Sequence, residues 1–138
     1  MKNRDLARDY AKRAEVRLKA VDVLFAEKSW ADVVRESQEI VELALKAMLR
    51  ASGVEPPRIH DVSDILLAER DRLGADLQDQ VEALASISRE LRRDRELAFY
   101  GAEDLTPTSF YSKKDAEKAR EGARFTVAIV KPFVASKR

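Results

Sequence analysis

The sequence contains no cysteine, which excludes disulfides, thiolate metal sites and a thiol nucleophile. Its one histidine, His60, leaves a zinc ion only carboxylates for company, so no metal site is expected. Four glycines and four prolines offer few residues that break helices. There is no P-loop, no dinucleotide-binding glycine pattern, no zinc-protease helix motif and no nucleotidyltransferase active site, so no cofactor is expected. No apolar run approaches a membrane span, and the opening MKNRDLARDY lacks a signal-peptide core. These absences point to a cytoplasmic protein with no membrane partner.

What remains is a helix-forming mixture, in which charged residues make up 37% of the chain and are interleaved with Leu, Ala and Val. At 138 residues the chain is expected to form one domain over 1–138. The net charge of +1 conceals a polarity along the chain. Residues 1–19 carry seven basic and three acidic side chains, and residues 113–138 carry eight and three. Residues 20–84 carry fourteen acidic against seven basic, and 85–112 five against four. Such ends are either ordinary solvated helix faces or a surface for nucleic acid.

Apolar periodicity places Leu6, Tyr10, Ala14, Leu18, Val21, Leu24 and Phe25 on one face of a helix over 4–27. Ser29 with Asp32 has a capping-box pattern opening a second helix, whose stripe is Trp30, Val34, Val41, Leu45 and Met48, and which Gly53 stops before Pro56-Pro57. Asp61 with Asp64 suggests a cap for a short helix carrying Ile65, Leu66 and Leu67 and ending near Gly74. A long helix from Asp76 to about Phe99 carries Leu77, Val81, Leu84, Leu91 and Ala98, and a loop over 101–111 follows. Ser112 with Asp115 caps a final helix burying Ala116, Ala119, Ala123, Val127 and Val130, which Pro132 kinks or ends. The fold expected is all-α, an antiparallel up-and-down bundle of four long helices plus one short helix. In that topology the first and last helices are neighbours, and their basic excess merges into one surface.

The most unusual stretch is Ser88 to Gly101, where the stripe through Leu84, Leu91 and Ala98 calls for apolar residues at 88 and 95 and the chain supplies Ser88 and Arg95. A guanidinium near a core needs partners, because an unpaired buried charge costs several kcal/mol. Asp94 and Glu96 point elsewhere on the helix, so Gln38 and Glu42 are the natural candidates. Gln38, Glu42 and Lys46 lie four residues apart and form either an ordinary helix-surface pair or a polar seam facing Arg95. Arg92, Arg93 and Arg95 form either a structural ion-pair network or a phosphate site, and Phe99 and Tyr100 either pack the helix end or stack on a base. His60 is expected to fix its turn by a hydrogen bond, with a pH-sensitive role left open.

The segments Gln38 to Leu49, Ile59-His60-Asp61-Val62 and Arg93 to Gly101, with Pro107, Tyr111 and the final helix, resemble HEPN domains over most of the chain, above all prokaryotic HEPN proteins often encoded beside minimal nucleotidyltransferases. The resemblance implies a helical bundle that commonly forms a homodimer, with roles in toxin–antitoxin systems, RNA processing or nucleotide binding. Catalytic members carry an arginine followed four to six residues later by a histidine. Here the windows behind Arg92, Arg93 and Arg95 span Leu97 to Ala102 and hold no histidine, and Phe99 or Tyr100 stands in its place. Phenylalanine transfers no proton, and a tyrosine with pKa near ~10 is a poor base at neutral pH. No catalytic residue is therefore assigned. The function expected is a noncatalytic, dimeric binding module that acts with a nucleotidyltransferase partner or holds nucleotide or RNA through Arg92, Arg93, Arg95, Phe99 and Tyr100. The alternatives are a diverged metal-independent endoribonuclease toxin using Tyr100, His60 or a composite dimer site, and a purely structural oligomerisation domain.

Overall fold

In a computed structural model, residues 2–56, 58, 62–100, 106 and 110–137 are described, with the side chains of 2, 76 and 93–100 excepted. The helices are α1 (Lys2–Ala26), α2 (Trp30–Ala51), α3 (Ser63–Ala68), α4 (Gln78–Tyr100) and α5 (Lys113–Ser136), with two 3-10 turns at Arg70–Leu73 and Ala75–Leu77. The architecture is the expected all-α bundle, and the described residues contain no strand.

Local chemistry explains most of the helix ends. At the end of α2, Gly53 takes φ 79, its N–H donates to Arg50 O at 3.1 Å and the Val54 N–H donates to Leu49 O at 2.9 Å. This is a Schellman stop, closed by burial of Val54 against the core that holds Leu49. The end of α1 is built the same way, with Ser29 N–H to Leu24 O at 2.9 Å and Lys28 N–H to Phe25 O at 3.0 Å. Lys28 occupies the left-handed position at φ 59, where glycine is usual. α5 opens on a complete capping box, since Ser112 Oγ accepts from Asp115 N–H at 3.3 Å and Asp115 Oδ2 accepts from Ser112 N–H at 2.9 Å. It then runs past Pro132 to Ser136 instead of stopping there.

α2 is the central element and packs against α1, α5 and α4. It can do so because apolar residues cover most of its circumference, with Val33, Ile40, Val41, Ala44, Leu45, Met48 and Leu49 all buried. α1 packs on α2 and α5 and buries the small residues Ala7, Ala11 and Ala14, which allow close approach, together with Val21. Ion pairs give the directions: Arg17–Glu36 joins α1 to α2, while Asp22–Arg124 and Glu15–Lys131 tie α1 antiparallel to α5. The first and last helices are thus neighbours, as the topology requires. Contact between α4 and α5 is sparse, so that edge of the bundle is partly open.

Several expectations are corrected. Leu6 is 37% exposed, because the alanines beside it centre the buried face of α1 on Ala7. Ser29 forms no backbone cap; its hydroxyl donates instead to Asp32 Oδ2 at 2.6 Å. The N-cap of α3 is Val62, with no side-chain cap, and Asp61 lies outside the described residues. The Val62 N–H donates across the fold to Ser88 Oγ at 3.4 Å. That long-range bond explains why a buried serine occupies the apolar stripe of α4. α4 itself begins at Gln78, after the 3-10 turn that follows Gly74 at φ 89.

Candidate functional site

The arginine-rich end of α4 leaves the packed core at Leu91, the last buried residue described on this helix. Arg89 is exposed and stands 3.9 Å from Asp64, while Arg92 is half-buried. Arg93, Arg95, Phe99 and Tyr100 continue the α4 backbone, and their side chains lie outside the described residues, as does all of His60. The helix therefore places the three arginines within four residues of one another, immediately after Leu91, which lines a cavity between α4 and α5.

On α2 Gln38, Glu42 and Lys46 are linked by hydrogen bonds. Glu42 accepts from Lys46 Nζ at 2.8 Å and from Gln38 Nε2 at 3.4 Å. Gln38 is buried, and the Glu42 and Lys46 side chains keep only 14% and 17% of their exposure, so this is more than a solvated surface pair. Burial strengthens the attraction between the two charges, and the Gln38 amide helps satisfy the carboxylate in exchange for lost water. Its intended partner, Arg95, lies outside the described side chains.

A cavity of about 280 Å³ opens where α4 and α5 separate. Val34, Leu91, Ile87 and Ala119 supply its apolar wall, Phe110 and Tyr111 an aromatic side, and Glu90, Lys118 and Asp115 its polar groups. Phe110 and Tyr111 meet edge to face at 4.8 Å between centroids, and Lys118 Nζ donates to Glu90 Oε1 at 2.6 Å. Such a site suits a flat apolar group carrying a few polar atoms. Among the described residues no three His, Asp or Glu side chains converge to hold a metal ion.

This cavity was not foreseen, because its walls come from three helices and the residues before α5. One signal was present. Gly122 sits inside α5, where glycine costs roughly 1 kcal/mol relative to alanine. The reason is spatial, since a Cβ there would stand 3.2 Å from Ile87 Cγ2.

Comparison with known proteins agrees with this architecture. The HEPN domain family model matches residues 7–132. A protein of Methanocaldococcus jannaschii named "Putative toxin MJ1304" is 28% identical over 137 residues, covering 95% of this chain and 90% of that protein. No solved structure matches the chain.

Proposed function

Since the chain belongs to the HEPN family, we propose that it is a noncatalytic binding module of a toxin–antitoxin-like pair, dimeric, that acts with a minimal nucleotidyltransferase and holds nucleotide or RNA at the end of α4. One observation carries the reading: α4 keeps Arg92, Arg93 and Arg95, yet the following window from Leu97 to Ala102 has no histidine. Guanidinium forks bind phosphate oxygens in pairs, so the arginines retain a use without proton transfer. Phe99 or Tyr100 stacks a base, and the cavity between α4 and α5 lies about two turns back along α4. The name carried by the archaeal relative supports the toxin-type setting.

Calorimetric titration with mononucleotides and short RNAs tests the ligand branch. Binding that weakens as salt rises is expected, and no salt-sensitive binding by the dimer would remove that branch and leave the nucleotidyltransferase partner.

The dimer is supported by Phe110 and Phe125, each 41% exposed on the α4–α5 side of the bundle. Sedimentation at micromolar concentration is expected to give a dimer, and Phe125→Glu to shift it toward monomer. A wild-type monomer would contradict the assignment.

A further inference from the structure

The packing of α1 against α5 brings the two basic ends of the chain together, and the acids of α1 do not neutralise them evenly. Asp9 pairs with Arg13, Glu15 with Lys131, and Asp22 with Arg120 and Arg124. Arg4, Arg8, Lys12 and Lys19 are exposed and form no ion pair among the described residues, and Asp5 is the one α1 acid outside those pairs. Their spacings of four, four and seven residues set them in one row along the helix, ~6 Å per four-residue step and ~22 Å in length.

Beside the row, Arg8, Lys12, Ala11, Glu15, Lys131 and Val134 line most of a groove of about 370 Å³ between α1 and α5. The one carboxylate in the groove is surrounded by cations. The hydrogen bond from Lys131 holds the Glu15 carboxyl below its ordinary pKa; desolvation opposes it, and the charges of Lys131, Lys12 and Lys19 each lower it by less. The row is thus a line of extended cations whose nearby carboxylate, Glu15, is hydrogen-bonded to Lys131, with a shallow, mostly apolar-floored channel alongside.

We infer that Arg4, Arg8, Lys12 and Lys19, with Lys131, form a track for the sugar–phosphate backbone of a nucleic acid several nucleotides long. The inference deepens the RNA branch of the proposed function and adds a surface on helices other than α4. A linear row of long, solvated cations suits a chain of regularly spaced phosphates, whose binding is driven by counterion release. A protein partner fits less well, because interface centres are rich in aromatic residues and poor in lysine. The row has only Val16 and Val23 exposed at its margin.

The test measures affinity for an RNA of about 20 nucleotides across a salt series, for wild type, for Arg8→Gln with Lys12→Gln, and for Glu15→Gln. The double variant is expected to bind about 10-fold more weakly at low salt, with the log–log salt slope smaller by roughly 1.4, or ~0.7 for each lost phosphate contact. Glu15→Gln releases Lys131 and is expected to tighten binding several-fold. Unchanged affinity and slope in the double variant, with melts confirming its fold, would overturn the track. Poly-glutamate of matched charge competing as well as RNA would also overturn it, in favour of an acidic protein. Equal binding of DNA of the same sequence supports contact with phosphate, and preference for RNA adds recognition of the 2′-hydroxyl. Mononucleotide affinity is the control that separates the two surfaces. It depends on the α4 arginines and is expected to be unchanged in the double variant, so failure at α4 and failure on α1 give different patterns.

Discussion

Arg95→Met combined with Glu42→Gln is expected to leave a folded bundle that binds nucleotide or RNA about 10–100-fold more weakly, the loss of one or two charge-assisted hydrogen bonds to phosphate. The fold is expected to survive because glutamine keeps the volume of Glu42 and its amide oxygen can still accept from Lys46 Nζ, which donates to Glu42 at 2.8 Å. Replacing a charged pair near a core with neutral groups of similar size is often tolerated, whereas removing one member alone strands the other. Arg95→Met alone is therefore the informative comparison. If Arg95 chiefly neutralises Glu42, the single variant melts below the double and binding is unchanged in both. If it contacts phosphate, both variants fold and both bind weakly. Calorimetry and thermal melts on the three proteins distinguish these outcomes, and full binding by the folded double variant would return the arginine to a structural role.

Leu45→Ala is expected to be the most damaging single change in the core, at about 2–5 kcal/mol, lowering the melting midpoint by roughly 8–20 °C. Leu45 is fully buried on α2, the helix that packs against α1, α4 and α5. A cavity there is bordered by several helices and cannot close by shifting one of them. The total stability of a domain this size is about 5–15 kcal/mol, so the loss is a large fraction of it. A chemical denaturation series checks this, and a change below about 1 kcal/mol would mean that the bundle repacks around α2.

Features governed by neighbours along the chain were the most legible in the sequence. The Gly53 stop and the Ser112–Asp115 capping box depend on a few consecutive residues, and both form as expected. The Ser29–Asp32 pair has the same pattern, and in both pairs the hydroxyl donates to the carboxylate three residues on, but Ser29 stands at ψ 71 where Ser112 is extended at ψ 171, and the Ser29 side chain accepts no backbone N–H. Periodicity found the correct helices but misplaced the centre of the α1 face by one residue, choosing Leu6 over Ala7, because volume and not hydropathy decides how closely α1 approaches its neighbours. Ser88 was visible as an interruption in a stripe, while its partner, the Val62 N–H, lies 26 residues away and no local rule identifies it. The cavity between α4 and α5 was hidden for the same reason. Tertiary placement gives Gly122 and Ile87 their common purpose. The polar seam was readable at four-residue spacing, though its degree of burial was not.

A HEPN protein that binds RNA without ribonuclease chemistry separates the two activities, which one experiment following cleavage and binding together can read. Purified protein is incubated with cellular RNA beside Arg95→Ala, with cleavage read on a gel and binding by mobility shift. Salt-sensitive binding by the wild type, weaker binding by Arg95→Ala, and no cleavage above background by either are expected. Cleavage by the wild type that disappears in Arg95→Ala would contradict this and establish a ribonuclease working without the expected histidine.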